Sequence, residues 1–220
     1  MKKILISGGS GLIGQRLSAL LLQKGYAVSH LSRNAKAHAN PAIKVHQWSI
    51  EEGKIAEAAI AEAAVIIHLA GAGIADKRWT KARKKLIVES RVKGTALLCK
   101  SLQTIPNKVR LFVGASAIGF YGNRGDEWMI ETAGSRDNEF LSSTTATWEQ
   151  AAECIKKISL PDIPGVSAIR SVLLRIGIVL SADGGALPKT ALPVKMGVSS
   201  YFGKGNQYYS WIHIDDMCAL

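Results

Sequence analysis

The chain has 220 residues, 47% hydrophobic and 20% charged, the balance of a packed globular domain. That composition excludes a disordered, collagenous or low-complexity chain, and no apolar run approaches the roughly 20 residues needed to span a bilayer. The net charge of +11 raises nucleic acid as a partner and makes the placement of the charge matter.

The elements follow in chain order. Met1-Lys2-Lys3 leads into only three apolar residues, Ile4-Leu5-Ile6, too few for the core of a secretory signal, which takes about seven. The segment reads as a first strand running into Ser7-Gly8-Gly9. Leu12 to Lys24 carries apolar residues at Ile13, Leu17, Leu20 and Leu21, which is helical spacing, and Gly25 is placed to end that helix. Strands are expected at Tyr26–Leu31 and Ile43–Trp48, a weak alanine-rich helix at Ala56–Ala63, and a buried strand at Ala64–Leu69. A long basic helix from about Thr80 to Leu102 has an expected apolar stripe of Val88, Val92, Ala96, Cys99 and Leu102. Val109–Val113 is the next strand. Phe140–Ile158 is a helix with Trp148, Ala151, Ile155 and Ile158 on one face, and Val166–Ile178 holds a strand around Val172 to Leu174. Strands alternating with helices predict an α/β fold, a doubly wound parallel sheet with helices on both faces.

Three cysteines, Cys99, Cys154 and Cys218, are far apart and odd in number, with no Cys-x-x-Cys pair. Neither a disulfide framework nor a metal site is expected, and the setting reads as a reducing cytoplasm. Most of the positive charge falls between Asp76 and Lys100, where nine basic residues face two acids. Trp79 is the only aromatic among them, so a solvated helix face is the better reading and no nucleic-acid partner is expected.

The chemistry is clearest at Ile4–Gly14, I-L-I-S-G-G-S-G-L-I-G: a strand, a glycine-rich turn, then a helix. Glycines let the backbone approach a pyrophosphate, and the helix N-terminus offers free N–H groups and the positive end of a dipole. Two spacings fit, Gly9-x-Gly11-x-x-Gly14 and Gly8-x-x-Gly11-x-x-Gly14, and spacing alone does not choose between them. Gly8, Gly9, Ser10, Gly11, Leu12, Ile13 and Gly14 are the expected cofactor contacts. The second strand ends in His30-Leu31-Ser32-Arg33-Asn34, without the acid that holds the ribose hydroxyls of NAD. Arg33 suits a 2′-phosphate and Ser32 can hydrogen-bond beside it, so the expected cofactor is NADP rather than NAD.

Further segments carry a family resemblance: His68-Leu69-Ala70-Gly71-Ala72-Gly73, Ile74-Ala75-Asp76-Lys77-Arg78-Trp79, Ala115-Ser116-Ala117-Ile118-Gly119-Phe120-Tyr121-Gly122, Leu174-Arg175-Ile176-Gly177-Ile178-Val179-Leu180 and Ser210-Trp211-Ile212-His213-Ile214-Asp215-Asp216. Together they resemble the atypical, extended short-chain dehydrogenase/reductases, the NAD-dependent epimerase/dehydratase-like proteins, over the whole chain. The resemblance implies a Rossmann-type fold, NADP binding, and Leu69, Ala70 and Gly71 beside the cofactor. It implies hydride transfer at a carbonyl or carbinol carbon of a small polar substrate, a nucleotide sugar being one such class, and a homodimer. It also implies a substrate-binding region after residue 180. The NADP-binding domain would cover residues 1–180, and residues 181–220 would be the start of an incomplete substrate lobe.

Active short-chain dehydrogenases pair Tyr and Lys as Y-x-x-x-K on the helix after the fifth strand. Here Thr145 and Glu149 fall near those places, and threonine cannot act as a phenol-like acid. A non-catalytic NADP(H)-binding sensor or scaffold is therefore the alternative. Ser116, as a substrate hydrogen-bond donor, and Tyr121, the phenol nearest to it in sequence, are the catalytic candidates. Arg78 and Trp79 are candidate substrate contacts, although anchoring of their loop explains them equally. Asp215 and Asp216 read as a helix N-cap rather than a metal pair.

Overall fold

The structure, a computed structural model, describes residues 2–34, 40–135, 139–160, 167–198 and 205–220. Strands β1 (Lys3–Ser7), β2 (Ala27–Ser32), β3 (Lys44–Ser49), β4 (Lys54–Ile55), β5 (Val65–His68), β6 (Leu111–Ala117) and β7 (Arg170–Ile176) form one sheet in the order β4-β3-β2-β1-β5-β6-β7. Every neighbouring pair is parallel except β3 and β4. The chain winds outward from β1 to β3, then returns to the other side of β1 with β5, which places a crevice at the carboxyl ends of β1 and β5.

Alternation along β1 explains why both faces are covered. Leu5 points into a core shared with Ile66, Phe112, Leu97, Leu98, Leu102 and Ile155, on the side of helices α3 (Lys81–Thr104) and α4 (Phe140–Lys156). Ile4 and Ile6 point the other way, with Val28, onto Leu17, Leu21 and Leu22 of α1 (Leu12–Gln23). A short helix, α2 (Glu57–Ala61), adds Ala59 and Ile60 to the first core. Lys24 caps α1, and Gly25 follows at φ +79°, a conformation that favours glycine.

The C-terminal part forms a second, three-stranded sheet in the order β10-β8-β9, from β8 (Ile178–Ser181), β9 (Gly184–Gly185) and β10 (Trp211–His213). Helix α5 (Ala186–Lys195) buries no residue, whereas α6 (Ile214–Ala219) buries Ile214, Met217 and Cys218 and ties back to α1 through an Arg16–Asp215 ion pair. Among the described residues, no helix is long and apolar enough to cross a membrane.

Three expectations are corrected. On α3 the buried residues are Ile87, Arg91, Gly94, Thr95, Leu97, Leu98, Cys99, Ser101 and Leu102; of the expected stripe Cys99 and Leu102 are buried, Val88 and Val92 are half-buried and Ala96 is exposed. A hydropathy stripe passes over Arg91, because its burial is made tolerable by bonds from Nη1 to the carbonyls of Ala72 and Ile87 and by the Trp148 ring 5.1 Å away. Second, Cys99 and Cys154 form a disulfide between α3 and α4, with Cα atoms 6.3 Å apart. Their separation of 55 residues concealed a contact that side-by-side helices create, so cysteine usage no longer argues for a reducing compartment. Third, the N-cap of α6 is His213, whose ring accepts from the Asp215 N–H; the two aspartates lie in the first turn, where the helix dipole favours acids.

Candidate cofactor groove and reaction cleft

The glycine turn selects between its two possible spacings. Gly8 stands at φ +77°, and a Cβ there would meet the Leu69–Ala70 backbone at 2.8 Å. Gly11 is the N-cap of α1, its N–H bonded to the Gly8 carbonyl at 3.0 Å. Gly14 lies against Gly8, and a Cβ would fall 2.4 Å from the Gly8 oxygen. Gly8-x-x-Gly11-x-x-Gly14 is thus the spacing that shapes the loop. Gly9 instead makes room for a side chain, since a Cβ there would stand 2.4 Å from the ring of His30. That buried ring bonds Ser18 Oγ at 2.7 Å, and Ser18 donates to the Gly14 carbonyl at 2.6 Å, so a side-chain prop supports the loop from beneath.

A cavity of about 660 Å³ opens beside this loop. Of the expected contacts, Gly8, Ser10, Gly11, Ser32, Arg33, Leu69, Ala70 and Gly71 line it. Gly9, Leu12, Ile13 and Gly14 do not; Leu12 packs toward Gly184 and Gly185, and the Ile13 carbonyl faces Cys218. Ser32 Oγ accepts from the Asn34 N–H and donates to the Asn34 carbonyl, a tight turn that ends β2 and leaves Arg33 exposed at the mouth. The cradle that added Cβ atoms would fill and the free N-terminus of α1 together fit a dinucleotide.

The wall opposite the glycine turn is a loop held by α3. Arg83 Nη2 donates to the Gly73 carbonyl and lies 3.6 Å from Asp76 Oδ2. Ser90 Oγ accepts from the Ala72 N–H at 3.0 Å. Trp79 Nε1 donates to the Ile74 carbonyl at 2.9 Å and its ring meets Phe140, so Trp79 closes its own loop. Arg78 is exposed, and neither it nor Trp79 lines this cavity or the second one described below.

Beneath the crevice, His68 is fully buried at the end of β5, and its Nδ1 is 2.5 Å from Ser7 Oγ. Burial, and secondarily the positive charge of Arg91, push its pKa down to about 4, so the ring is neutral at pH 7.

The second cavity, more open and about 1690 Å³, is lined among others by Tyr121, Glu149, Arg175 and Ser210. Ser116, Tyr121, Glu149 and Arg175 form one network at its edge. Ser116 Oγ donates to Glu149 Oε1 at 2.5 Å; Arg175 grips both Glu149 oxygens through Nε and Nη2 at 2.9 Å; Arg175 Nη1 donates to Tyr121 Oη at 3.0 Å. The guanidinium lies 3.7 Å from the Phe120 ring centroid. Burial pushes the Glu149 carboxyl up, but the hydrogen bonds from Arg175 and Ser116 outweigh it and hold it below the usual carboxylate range. Glu149 in turn raises the pKa of Arg175.

The Ser116 proton is thereby committed to an ionised carboxylate, and Ser116 itself is buried and lines neither cavity. Thr145 gives its hydroxyl to the Leu141 carbonyl at 2.7 Å, turned back on its own helix. Arg175 and Glu149 are the residues whose importance sequence reasoning missed. The available signals were an arginine inside the apolar strand Val172-Leu173-Leu174-Arg175-Ile176 and a glutamate beside the buried face of α4.

Sheet order, crevice and glycine cradle define a Rossmann-like α/β protein of the NAD(P)-binding epimerase fold. A model of the NAD dependent epimerase/dehydratase family matches residues 4–147, and the chain belongs to that family. It is 35% identical over 217 residues to epimerase family protein SSP1921 of Staphylococcus saprophyticus, covering 99% of this chain and 68% of that protein. Among solved structures, human epimerase family protein SDR39U1 (isoform 2) with NADPH superposes with a TM-score of 0.79 at 29% identity, over 98% of this chain and 67% of that one. A nucleoside-diphosphate sugar epimerase from Corynebacterium glutamicum gives 0.77 at 30% identity, over 99% of this chain and 42% of that one. The chain thus spans about two thirds of SSP1921 and of the human protein.

Proposed function

We propose that this chain holds NADP(H) and positions it for hydride exchange with a carbonyl or carbinol carbon of a small polar substrate. Residues 1–180 form the cofactor domain and residues 181–220 begin the substrate-binding region. The observation that carries the reading is Arg33, exposed at the acid-free end of β2 in the cavity that Gly8, Ser10 and Gly11 line. NADPH in the human relative's structure supports it.

When bound, the cofactor supplies a hydride at the nicotinamide C4. The Gly8–Gly11 turn and the α1 N-terminus hold the diphosphate, Arg33 and Ser32 the 2′-phosphate, and Leu69, Ala70 and Gly71 flank the nicotinamide half. Tyr121, held by Arg175, exchanges the proton at the substrate oxygen. Ser116, its own proton given to Glu149, steadies the carboxylate that fixes Arg175 beside Tyr121. A nucleotide sugar is one candidate substrate, and the nucleoside-diphosphate sugar epimerase relative supports that class.

The test is affinity. Arg33→Ala weakens NADPH binding about tenfold and spares NADH; equal loss of both ends the NADP assignment. A second reading, a non-catalytic NADP(H) sensor, is favoured by the inward-turned Thr145 hydroxyl. NADPH binding without oxidation across a panel of carbonyl substrates would select it.

A further inference from the structure

We propose that Arg83 is a second anion-binding residue of the cofactor groove, facing the diphosphate bridge from the α3 wall, with Asp76 as its internal competitor. The inference rests on the cofactor reading above and adds a residue that neither the glycine motif nor the β2 end contains.

Three cations line the cavity: Arg33, Arg83 and Lys93. Lys93 is taken up by Glu89 at 3.0 Å on its own helix, and Arg33 stands at the end of β2. Arg91, about two turns further along α3, is spent on the Ala72 and Ile87 carbonyls and on Trp148. Arg83 is held to the loop by one bond, from Nη2 to the Gly73 carbonyl, and keeps other donors. Its side chain is only 14% exposed, yet among the described residues its buried Nε has no hydrogen-bond partner. Among the described residues its one ion-pair neighbour, Asp76, is 3.6 Å from Nη2, beyond hydrogen-bond range, and is itself 61% exposed. A planar guanidinium with donors to spare, drawn into the wall of a groove whose other wall is a helix N-terminus, is suited to an oxyanion such as phosphate. Asp76 then holds the guanidinium in place while the groove is free and gives it up when a stronger anion arrives. This assigns a purpose to the acid of the Ile74–Trp79 segment.

Equilibrium titration with NADPH and NADH, followed by nucleotide fluorescence, tests the proposal. Arg83→Met weakens both nucleotides by about tenfold or more, in contrast to Arg33→Ala, which discriminates between them. Arg83→Lys recovers part of the loss. Asp76→Asn tightens both a few-fold, because the competing charge is gone; if Asp76 and Arg83 only pinned the loop, that variant would weaken binding instead. Unchanged affinity in Arg83→Met, or weaker binding in Asp76→Asn, overturns the proposal while leaving NADP(H) binding intact. A wild-type protein that binds neither nucleotide overturns the cofactor reading and this inference together. Thermal unfolding of each variant separates a lost contact from a lost fold.

Discussion

The two halves of the crevice are built from different materials. The cofactor groove is made of backbone: a left-handed Gly8, a Gly11 cap and a Gly14 too close to Gly8 to carry a Cβ. The proposed reaction cleft is made of side chains, a Ser116–Glu149–Arg175–Tyr121 network whose members come from β6, α4, β7 and the turn after β6. Backbone sites fail by steric clash and side-chain sites by unmatched charge, so perturbing each half should leave the other readable.

The largest effect is expected at Gly14→Val. The added atoms meet the Gly8 oxygen and Gly9 Cα within 2.6 Å, and both are backbone atoms without a rotamer to move. We expect loss of nucleotide binding and at least about 3 kcal/mol of stability, measured by fluorescence titration and chemical denaturation. Intact NADPH binding would break the distinction between the halves.

Glu149→Gln comes next and perturbs the other half. It leaves the Arg175 charge, one fifth exposed, without its counter-ion. The cost is about 2 kcal/mol, below the usual figure for a buried pair because solvent reaches the guanidinium. NADPH affinity should be unchanged. The sign of the pH dependence follows from the lowered pKa of Glu149. Its stabilisation is present above the ordinary carboxyl pKa and is lost as pH falls through the lower folded value, so the variant should unfold less steeply with acid.

How much of this was legible in the sequence follows the same division. Backbone constraints are written locally: Gly8, Gly11 and Gly14 lie within seven residues, and the strand before them is a plain apolar run, so the fold and groove could be read. The network could not, because Ser116 and Arg175 meet only when β6 and β7 pair in register, and Glu149 reaches them from α4. Arg91 was concealed for a related reason: an arginine scores as surface until the Ala72 carbonyl and the Trp148 ring surround it. The disulfide likewise became visible only when α3 and α4 lay side by side.

His68, buried at the end of β5 with its ring on Ser7, is expected to have a smaller, graded effect. A histidine held at about 4 when folded, against 6.5 when unfolded, takes up its proton more readily in the unfolded chain. Its contribution is fully present above pH 6.5 and is lost as pH falls from there to about 4. In His68→Leu the slope of stability against pH should flatten in that window and stay the same below it. A variant that changed only the lower limb would show that the acid sensitivity belongs to the Glu149 carboxylate.

The smallest effect separates two readings of the Ile74–Trp79 loop. Trp79→Phe keeps an aromatic ring near Phe140 and deletes the indole N–H that the Ile74 carbonyl accepts. If Trp79 anchors its loop, that loss costs about 1 kcal/mol, and because Gly73 and Asp76 of the same loop line the groove, NADPH affinity should weaken two- to threefold with it. If Trp79 instead stacks on substrate, phenylalanine serves nearly as well, stability and nucleotide affinity hold, and any change falls on the substrate KM. The hydrogen bond within the loop favours the first outcome, since an indole turned to its own backbone presents only a ring edge and face to anything else.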